Sequence, residues 1–276
     1  MITAEIALDS INTKGDRITT LILNYPRFIH SEVMTHRVFS RNAASSRAVP
    51  TEIMIERIYL DPARPIQWGE NQKGMSAENQ LSSEISHELN LIWDDTMNYV
   101  IENVRRMLAF NPHKQTVNRL LEPWMHIQTL VTSTEWDNFF EQRCDSNAQP
   151  EIQVLAWKIR DAMMLSKPKK LSVGEWHIPF IKPEEIALPL ETKLKVSTAR
   201  CARTSYYFHD GKESSLEKDL ELHDRLVGSF PIHASPAEHQ ARAISQSQFC
   251  KNLRGWEQYR LMVEENCKKQ KQLEFF

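Results

Sequence analysis

The densest chemistry in the sequence lies at residues 35–47, THRVFSRNAASSR, where Arg37, Arg41, Arg47, Ser40, Ser45, Ser46, His36 and Asn42 crowd into one short stretch. Guanidinium forks and hydroxyls suit phosphate oxygens, through bidentate and charge-assisted hydrogen bonds. Spacing alone leaves two readings: a site for a small phosphorylated ligand, or a solvated basic loop. A second group is FFEQRCDSNAQPEIQ, residues 139–153. Arg143 ends a short amphipathic stretch there and, taken alone, reads as a surface ion-pair residue. Cys144 beside it lacks the base or the lowered pKa that a reactive thiol needs, so it reads as structural. The third group is HASPAEH, residues 233–239. Its His and Glu have metal-ligand chemistry, but no third ligand follows at a diagnostic spacing. Hydrogen bonding to a polar cofactor, or loop capping, fits better. Arg119 in VNRLLEP is by itself a structural arginine.

These groups need elements to position them. Residues 3–9 and 17–24 read as strands joined by turn chemistry at 12–16. The alternation of Ile18, Thr20 and Ile22 with Thr19, Leu21 and Leu23 suits a sheet covered on one or both faces. Residues 50–75, with their prolines and glycines, read as an extended loop. Helical periodicity runs from Ser76, a plausible N-cap, to Phe110. It places Leu81, Ile85, Leu89, Ile92, Met97, Ile101, Val104 and Leu108 on one stripe, in one helix or two in series. Further helices are expected at 135–142 and near 150–165, the latter with Ile152, Leu155, Ile159 and Met163 inward. Four prolines across 166–190 exclude a continuous helix and mark a linker or wrapping loop. A helix with a Ser214–Glu217 capping box follows. Its stripe is Leu216, Leu220, His223 and Val227, and Gly228 sits at the C-terminal left-handed position. A charged helix near 253–270 closes the chain. The pattern is mixed α and β, with helices in excess.

Composition excludes several classes. The chain has 276 residues, 41% hydrophobic and 25% charged, as expected for a folded chain of one large or two small domains. A net charge of −2 argues against binding long nucleic acid, which usually demands a large positive excess. The seven glycines form no G-x-G-x-x-G. Residues 69–76, GENQKGMS, imitate a phosphate-binding loop but carry Met75 where its lysine belongs, and read as a loop before a helix. The four cysteines, Cys144, Cys201, Cys250 and Cys267, lie far apart, which excludes a disulfide framework or a zinc knuckle. With Glu5 and Asp9 near the start and no long apolar run, neither a signal peptide nor a membrane span is expected, and the expected location is a reducing cytoplasm.

Taken together, the segments resemble the flavin-dependent thymidylate synthases of the ThyX class. That family's hallmark is R-H-R-x-x-S-x-N-E-x-S-x-R-Y, and His36, Arg37, Ser40, Asn42, Ser45 and Arg47 match it. The family's N-F-L-x-L-R followed by A-Q-x-E-I has its counterpart in Asn138 to Arg143, then Ala148, Gln149, Glu151 and Ile152. H-x-[ST]-x-x-E-H stands here as His233, Ser235, Glu238 and His239. A-R-x-S stands as Ala202, Arg203, Thr204 and Ser205. Arg119 and Pro123 correspond to the family's R-x-x-L-P. In the family the A-R-x-S and H-x-[ST]-x-x-E-H segments precede the R-H-R segment, whereas here they follow it. The resemblance therefore implies a circular permutant, a single catalytic domain over 1–276 joined through the proline-rich stretch 166–195, of bacterial or bacteriophage kind.

The resemblance further implies an α+β fold with a central sheet flanked by long helices. It implies FAD as cofactor, NADPH and methylenetetrahydrofolate as co-substrates, dUMP as substrate, and a homotetramer whose subunits share sites. Ser205, His233, Ser235, Glu238, His36, Arg37 and Asn138 would contact the flavin. Ser45, Arg47, Arg119 and Arg143 would hold the nucleotide, Arg143 stabilising charge on the pyrimidine as the catalytic residue. No metal and no cysteine nucleophile is called for. The sequence departs from the family at Thr35 (Arg), Ala43 (Glu), Ala48 (Tyr) and Glu32 (Gln). Glu32 would lie near the nucleotide, and a carboxylate there accepts from a cytosine amino group, whereas uracil offers a carbonyl. The alternatives are thus a related flavin-dependent enzyme, a dCMP methylase or hydroxymethylase, and a non-catalytic nucleotide-binding protein.

Overall fold

A tight turn sets the first two strands. Asn12 Oδ1 accepts from the backbone N–H of Lys14 (2.9 Å) and of Asp16 (3.0 Å), and Gly15 takes the left-handed φ of +90° that the reversal requires. In the computed structural model, which describes residues 1–204, 214–227 and 231–274, these strands are β1 (Thr3–Asn12) and β2 (Arg17–Pro26). The chain continues through α1 (His30–Met34), β3 (Ser40–Ala43), α2 (Thr51–Leu60), α3 (Ser83–Leu108), α4 (Lys114–Val117), β4 (His126–Ser133), α5 (Asp137–Arg143) and α6 (Pro150–Leu165). Then come β5 (Lys169–Leu171), β6 (Trp176–His177), α7 (Leu190–Arg203), α8 (Leu216–Val227), β7 (Ala241–Ala243), β8 (Phe249–Cys250), β9 (Leu253–Arg254), β10 (Trp256–Gln258) and α9 (Tyr259–Glu274).

Five strands form the main sheet in the order β3-β4-β2-β1-β5, antiparallel except for the β1–β5 pair. A second sheet runs β10-β7-β6, and β8 and β9 form a hairpin. Side-chain alternation along β2 decides what each face meets. Leu21, Leu23 and Tyr25 pack with Ile152, Leu155 and Ile159 of α6 and Phe139 of α5. Ile18, on the opposite face, joins Leu171, Ala241, Ala243, Leu253 and Trp256 of the second sheet. The main sheet is therefore covered on both sides. A separate cluster ties α2 to α3 through Ile55, Ile58, Met97, Ile101 and Val104. The fold is α+β, as expected.

Several boundaries differ from the sequence reading. Part of the expected loop 50–75 is helix α2: Pro50 precedes it, and Met54, Ile55 and Ile58 turn inward. The long helix is a single one, but it starts at Ser83 with Ser82, not Ser76, as N-cap. Of its expected stripe only Met97, Ile101 and Val104 are buried, while Ile85 and Ile92 are exposed, because the helix's first half meets Trp68 and Arg64 through Asn90, Trp93 and Asp94 instead. Strand β4, in the middle of the sheet, and helix α7, after Pro189, were not anticipated. At α8 the cap is Ser215 rather than Ser214, accepting from Lys218 N–H at 3.4 Å. Of the expected stripe on α8 only His223 is fully buried; the buried face is completed by Asp219, Leu222 and Leu226, with Leu220 and Val227 half-buried and Leu216 exposed. The first part of the expected last helix is strand, β9 and β10, and α9 begins at Tyr259. Gly228 and Ser205 lie outside the described residues.

Candidate active site

The stretch 35–47 spans the end of α1, strand β3 and the turn that follows. Arg41 closes the C-terminus of α1 by donating to the carbonyls of Met34 (3.0 Å) and His36 (3.2 Å), groups that a short helix leaves unsatisfied. This fixes His36, which is buried against Phe39 and meets Phe139 edge-on with ring centroids 4.8 Å apart. Arg143, the last residue of α5, reaches it across 107 positions of sequence: its Nε–H donates to His36 Nε2 at 3.0 Å, and its Nη2 to Thr35 Oγ1 at 3.2 Å. Burial, then the Arg143 and Arg41 charges, lowers the His36 pKa from 6.5 to about 4. His36 is thus neutral at pH 7, with its proton on Nδ1 and Nε2 accepting.

Beside this pair a cleft of about 480 Å³ is lined by Thr35, His36, Arg37, Asn138, Phe139 and Gln142, together with Glu135 and Phe249. Arg37 and Asn138, both exposed, therefore share a wall with His36. Glu32 sits one turn earlier: its carbonyl accepts from the Thr35 hydroxyl (2.6 Å), and its carboxylate from Ser31 (2.9 Å).

Of the other expected nucleotide residues, Arg119 meets Glu122, and Ser45 and Arg47 flank a Glu122 partner, Ser46. The Glu122 carboxylate pairs with Arg119 (2.7 Å) and Arg27 (3.1 Å) and accepts from the Ser46 hydroxyl (2.9 Å). These partners hold the Glu122 pKa below the usual carboxylate value although burial opposes them. The turn carrying Ser45 and Arg47 is pinned by Asn118, whose amide donates to the Ser46 (2.6 Å) and Val49 (3.0 Å) carbonyls. Arg47 itself is exposed.

The segment 233–239 packs directly on β3. The Asn42 amide donates to His239 Nε2 (3.2 Å) and to the Ser235 carbonyl (3.3 Å). His239 begins a buried chain of hydrogen bonds across the sheet. His239 Nδ1 contacts Thr132 Oγ1 (2.8 Å), Thr132 contacts Thr20 (2.7 Å), Thr20 contacts His177 Nε2 (2.8 Å), and His177 Nδ1 contacts Ser10 Oγ (2.9 Å). One direction of donation satisfies every member with both imidazoles neutral. Burial lowers both histidine pKa values to about 3. Glu238 pairs with Arg260 and its carbonyl accepts from Gln258, which also donates to Ser40 Oγ at 2.9 Å. His233 and Ser235 are exposed. Arg203, in the A-R-x-S stretch, is bound to Asp219 of α8 at 2.9 Å. Among the described residues no group of three or more His, Cys, Asp or Glu could hold a metal ion. Burial raises the Cys144 pKa, which leaves it no activated nucleophile.

The sequence reading missed Arg27, Glu122, Gln258 and Arg260, whose signals are single charges or amides without a motif. It also missed Phe249.

The profile of the thymidylate synthase complementing protein family matches residues 17–169, which carry the His36–Arg143 pair, the Ser45–Arg47 turn and Arg119. The chain belongs to that family. The segments 202–205 and 233–239 lie outside the span that the family profile matches. No curated protein sequence matches the chain. Similar solved structures are those of a UMP/dUMP methylase, PolB, from Streptomyces cacaoi. The form bound with 5-Br UMP has 14% identity and a TM-score of 0.47, over 59% of this chain and 88% of that one. The form bound with 5-Br dUMP has 15% identity and a TM-score of 0.46, over 59% and 90%.

Proposed function

We propose that this protein is a flavin-dependent enzyme that methylates C5 of a pyrimidine deoxynucleotide, dUMP, drawing its carbon from methylenetetrahydrofolate and its reducing equivalents from NADPH. The observation that carries the reading is the meeting of Arg143 with His36, two motif residues far apart in sequence, at the edge of a cleft in a chain of this family.

The residues present fit a flavin. The cleft is of ring-binding size, its rim offers the Arg37 guanidinium and the Asn138 and Gln142 amides, and aromatic faces back it. In this reading His36, Arg37 and Asn138 hold the cofactor together with His233, Ser235, Glu238 and Ser205. When bound, the flavin supplies the hydride that turns a transferred methylene into a methyl group. Arg143 stabilises negative charge on the pyrimidine as its C5 forms the new carbon bond and loses its proton. Neutral His36 aims the guanidinium without adding a second positive charge. Ser45, Arg47 and Arg119 bind phosphate.

Arg119 binds Glu122 rather than His36, and Ser45 and Arg47 flank Ser46, which also binds Glu122; this arrangement agrees with sites completed between subunits of a homotetramer. The exposed apolar positions Ile85, Ile92 and Tyr99, one heptad apart on α3, offer a surface for such assembly. The packing of segment 233–239 on β3 agrees with one permuted catalytic domain joined through 166–195. Among the described residues no helix is long and apolar enough to cross a membrane.

Glu32 and Ala43 favour a second reading, in which dCMP is the substrate. Tritium release from C5-labelled dUMP and, in parallel, C5-labelled dCMP, with FAD, NADPH and methylenetetrahydrofolate, separates the two. Release from dUMP alone supports the first reading, and release from dCMP alone the second. Release from neither, by a protein that purifies without flavin, leaves a non-catalytic nucleotide-binding protein.

A further inference from the structure

The cleft has a wall that the family-matched span does not supply. Phe249, in β8, lines it alongside His36, Arg37, Asn138 and Gln142, and remains 51% exposed. The hairpin bearing it is anchored at its C-terminal end, and its entry is tied to that end by Gly255 N–H donating to the Gln248 carbonyl at 2.9 Å. The Arg254 backbone N–H donates to Thr134 Oγ1 (2.9 Å), and Arg254 Nε pairs with Glu135 (2.9 Å). The next residue, Gly255, approaches the β1–β2 turn so closely that a Cβ would collide with the Asp16 carboxylate. Its carbonyl accepts from Asn12 Nδ2 at 3.0 Å. The Arg254 guanidinium lies over the Phe249 ring, 4.3 Å from its centroid. The cation therefore occupies part of the aromatic surface and holds the ring's plane, while the exposed remainder faces the cleft. A large apolar ring held this firmly at the mouth of a polar cleft is a preformed stacking surface.

We propose that Phe249 is the stacking platform for the planar heteroaromatic ring of the flavin, with Arg254 and Glu135 as its positioning residues. The proposal rests on the flavin reading above. Its test is titration of the full-length protein with FAD, followed by flavin fluorescence and by the visible absorption of bound flavin, for wild type, Phe249→Ala, Phe249→Trp and Glu135→Gln. Phe249→Ala is expected to weaken FAD binding by about tenfold and to return the flavin spectrum toward that of free FAD. Phe249→Trp restores both, and Glu135→Gln, which frees Arg254, falls between. Thermal melting of Phe249→Ala should match wild type, because the ring is half exposed. Unchanged FAD affinity and spectrum in Phe249→Ala overturn the proposal. So does a loss confined to the KM for the nucleotide or for the folate, which would assign the platform to that ring instead. Failure of the wild-type protein to bind FAD would overturn the flavin reading itself, and the proposal with it.

Discussion

The buried chain from Asn42 to Ser10 makes acid stability a test of the architecture. His177 and His239 are fully buried, and both are neutral in the folded state, with pKa values near 3 against 6.5 for an exposed histidine. Their folded values lie below their unfolded values. The stability they allow is therefore complete above about pH 6.5 and is lost as pH falls toward the folded pKa, because only the unfolded chain takes up the protons. At pH 5 the linkage relation gives roughly 2 kcal/mol of lost stability for each. His36, lowered to about 4, loses a similar amount. A loss of about 6 kcal/mol is comparable to the whole stability of many domains. Urea denaturation followed by circular dichroism from pH 8 to pH 5 measures it. His30, His126 and His223 are shifted in the same direction and add to the wild-type slope, so the informative quantity is a difference. His239→Gln lowers stability at every pH, but it should also reduce the slope near pH 5.5 by about 1 kcal/mol per pH unit. His177→Gln should do the same, and the double variant twice as much. A wild-type slope in either single variant would refute the argument, since it would mean that the imidazole was already protonated or exposed.

Two further substitutions probe the site and its support. Arg143→Ala should abolish turnover, leave the circular dichroism spectrum unchanged and raise the His36 pKa above about 4, since Arg143 is the first charge, after burial, that lowers it. Nuclear magnetic resonance titration of His36 reads the shift, and an unmoved pKa or full activity would contradict the pairing. Asp219, fully buried, receives Arg200 at 2.8 Å and Arg203 at 2.9 Å. Asp219→Ala removes the carboxylate that joins the two guanidiniums, leaving Arg200 only Glu185 and the Phe180 carbonyl and Arg203 the Lys218 carbonyl, and should cost about 2 kcal/mol, visible as a lowered melting temperature, with Asp219→Asn milder. No change in melting would show that the α7–α8 contact does not depend on the cluster.

What the sequence made legible followed local rules. The β1–β2 hairpin was readable because alternation and turn residues agree within two dozen positions. Helix α6 was readable because Ile152, Leu155 and Ile159 repeat at helical spacing after Pro150. Strand β4 was overlooked although HIQTLVTS is rich in β-branched residues, because it lies between two arginine motifs and lacks turn residues at its start. Its central place comes from pairing with β2 and β3, which no local pattern encodes. On α3 periodicity placed Ile85 and Ile92 inward, but periodicity finds an apolar face and cannot say what covers it. At the site, His36, Arg143 and Asn138 were found through motifs. Phe249, Arg254, Gln258 and Arg260 were not, because their meaning arises only when a distant hairpin folds onto the cleft and β10 and the start of α9 fold onto Ser40 and Glu238.

The departures from the family's motif make physical sense as a set. Arg143 donates to two neutral acceptors, His36 Nε2 and Thr35 Oγ1. An arginine at position 35 would place a like charge there, whereas Thr35 offers an oxygen and donates its own hydrogen bond to the Glu32 carbonyl. Of the five N–H donors of a guanidinium, two are spent on orientation in this way, and the remainder are directed by a rigid pair rather than by a mobile side chain. Ala43, at the end of β3, is half-buried against the apolar cluster, where a carboxylate would be partly desolvated. The carboxylate at Glu32 lies instead on α1, close enough to His30 to act on its charge. The negative charge has moved from the strand to the helix whose last turn leads to Thr35 and the Arg143 contact. In the proposed reading, substrate choice between uracil and cytosine turns on Glu32, while Arg143 serves either ring.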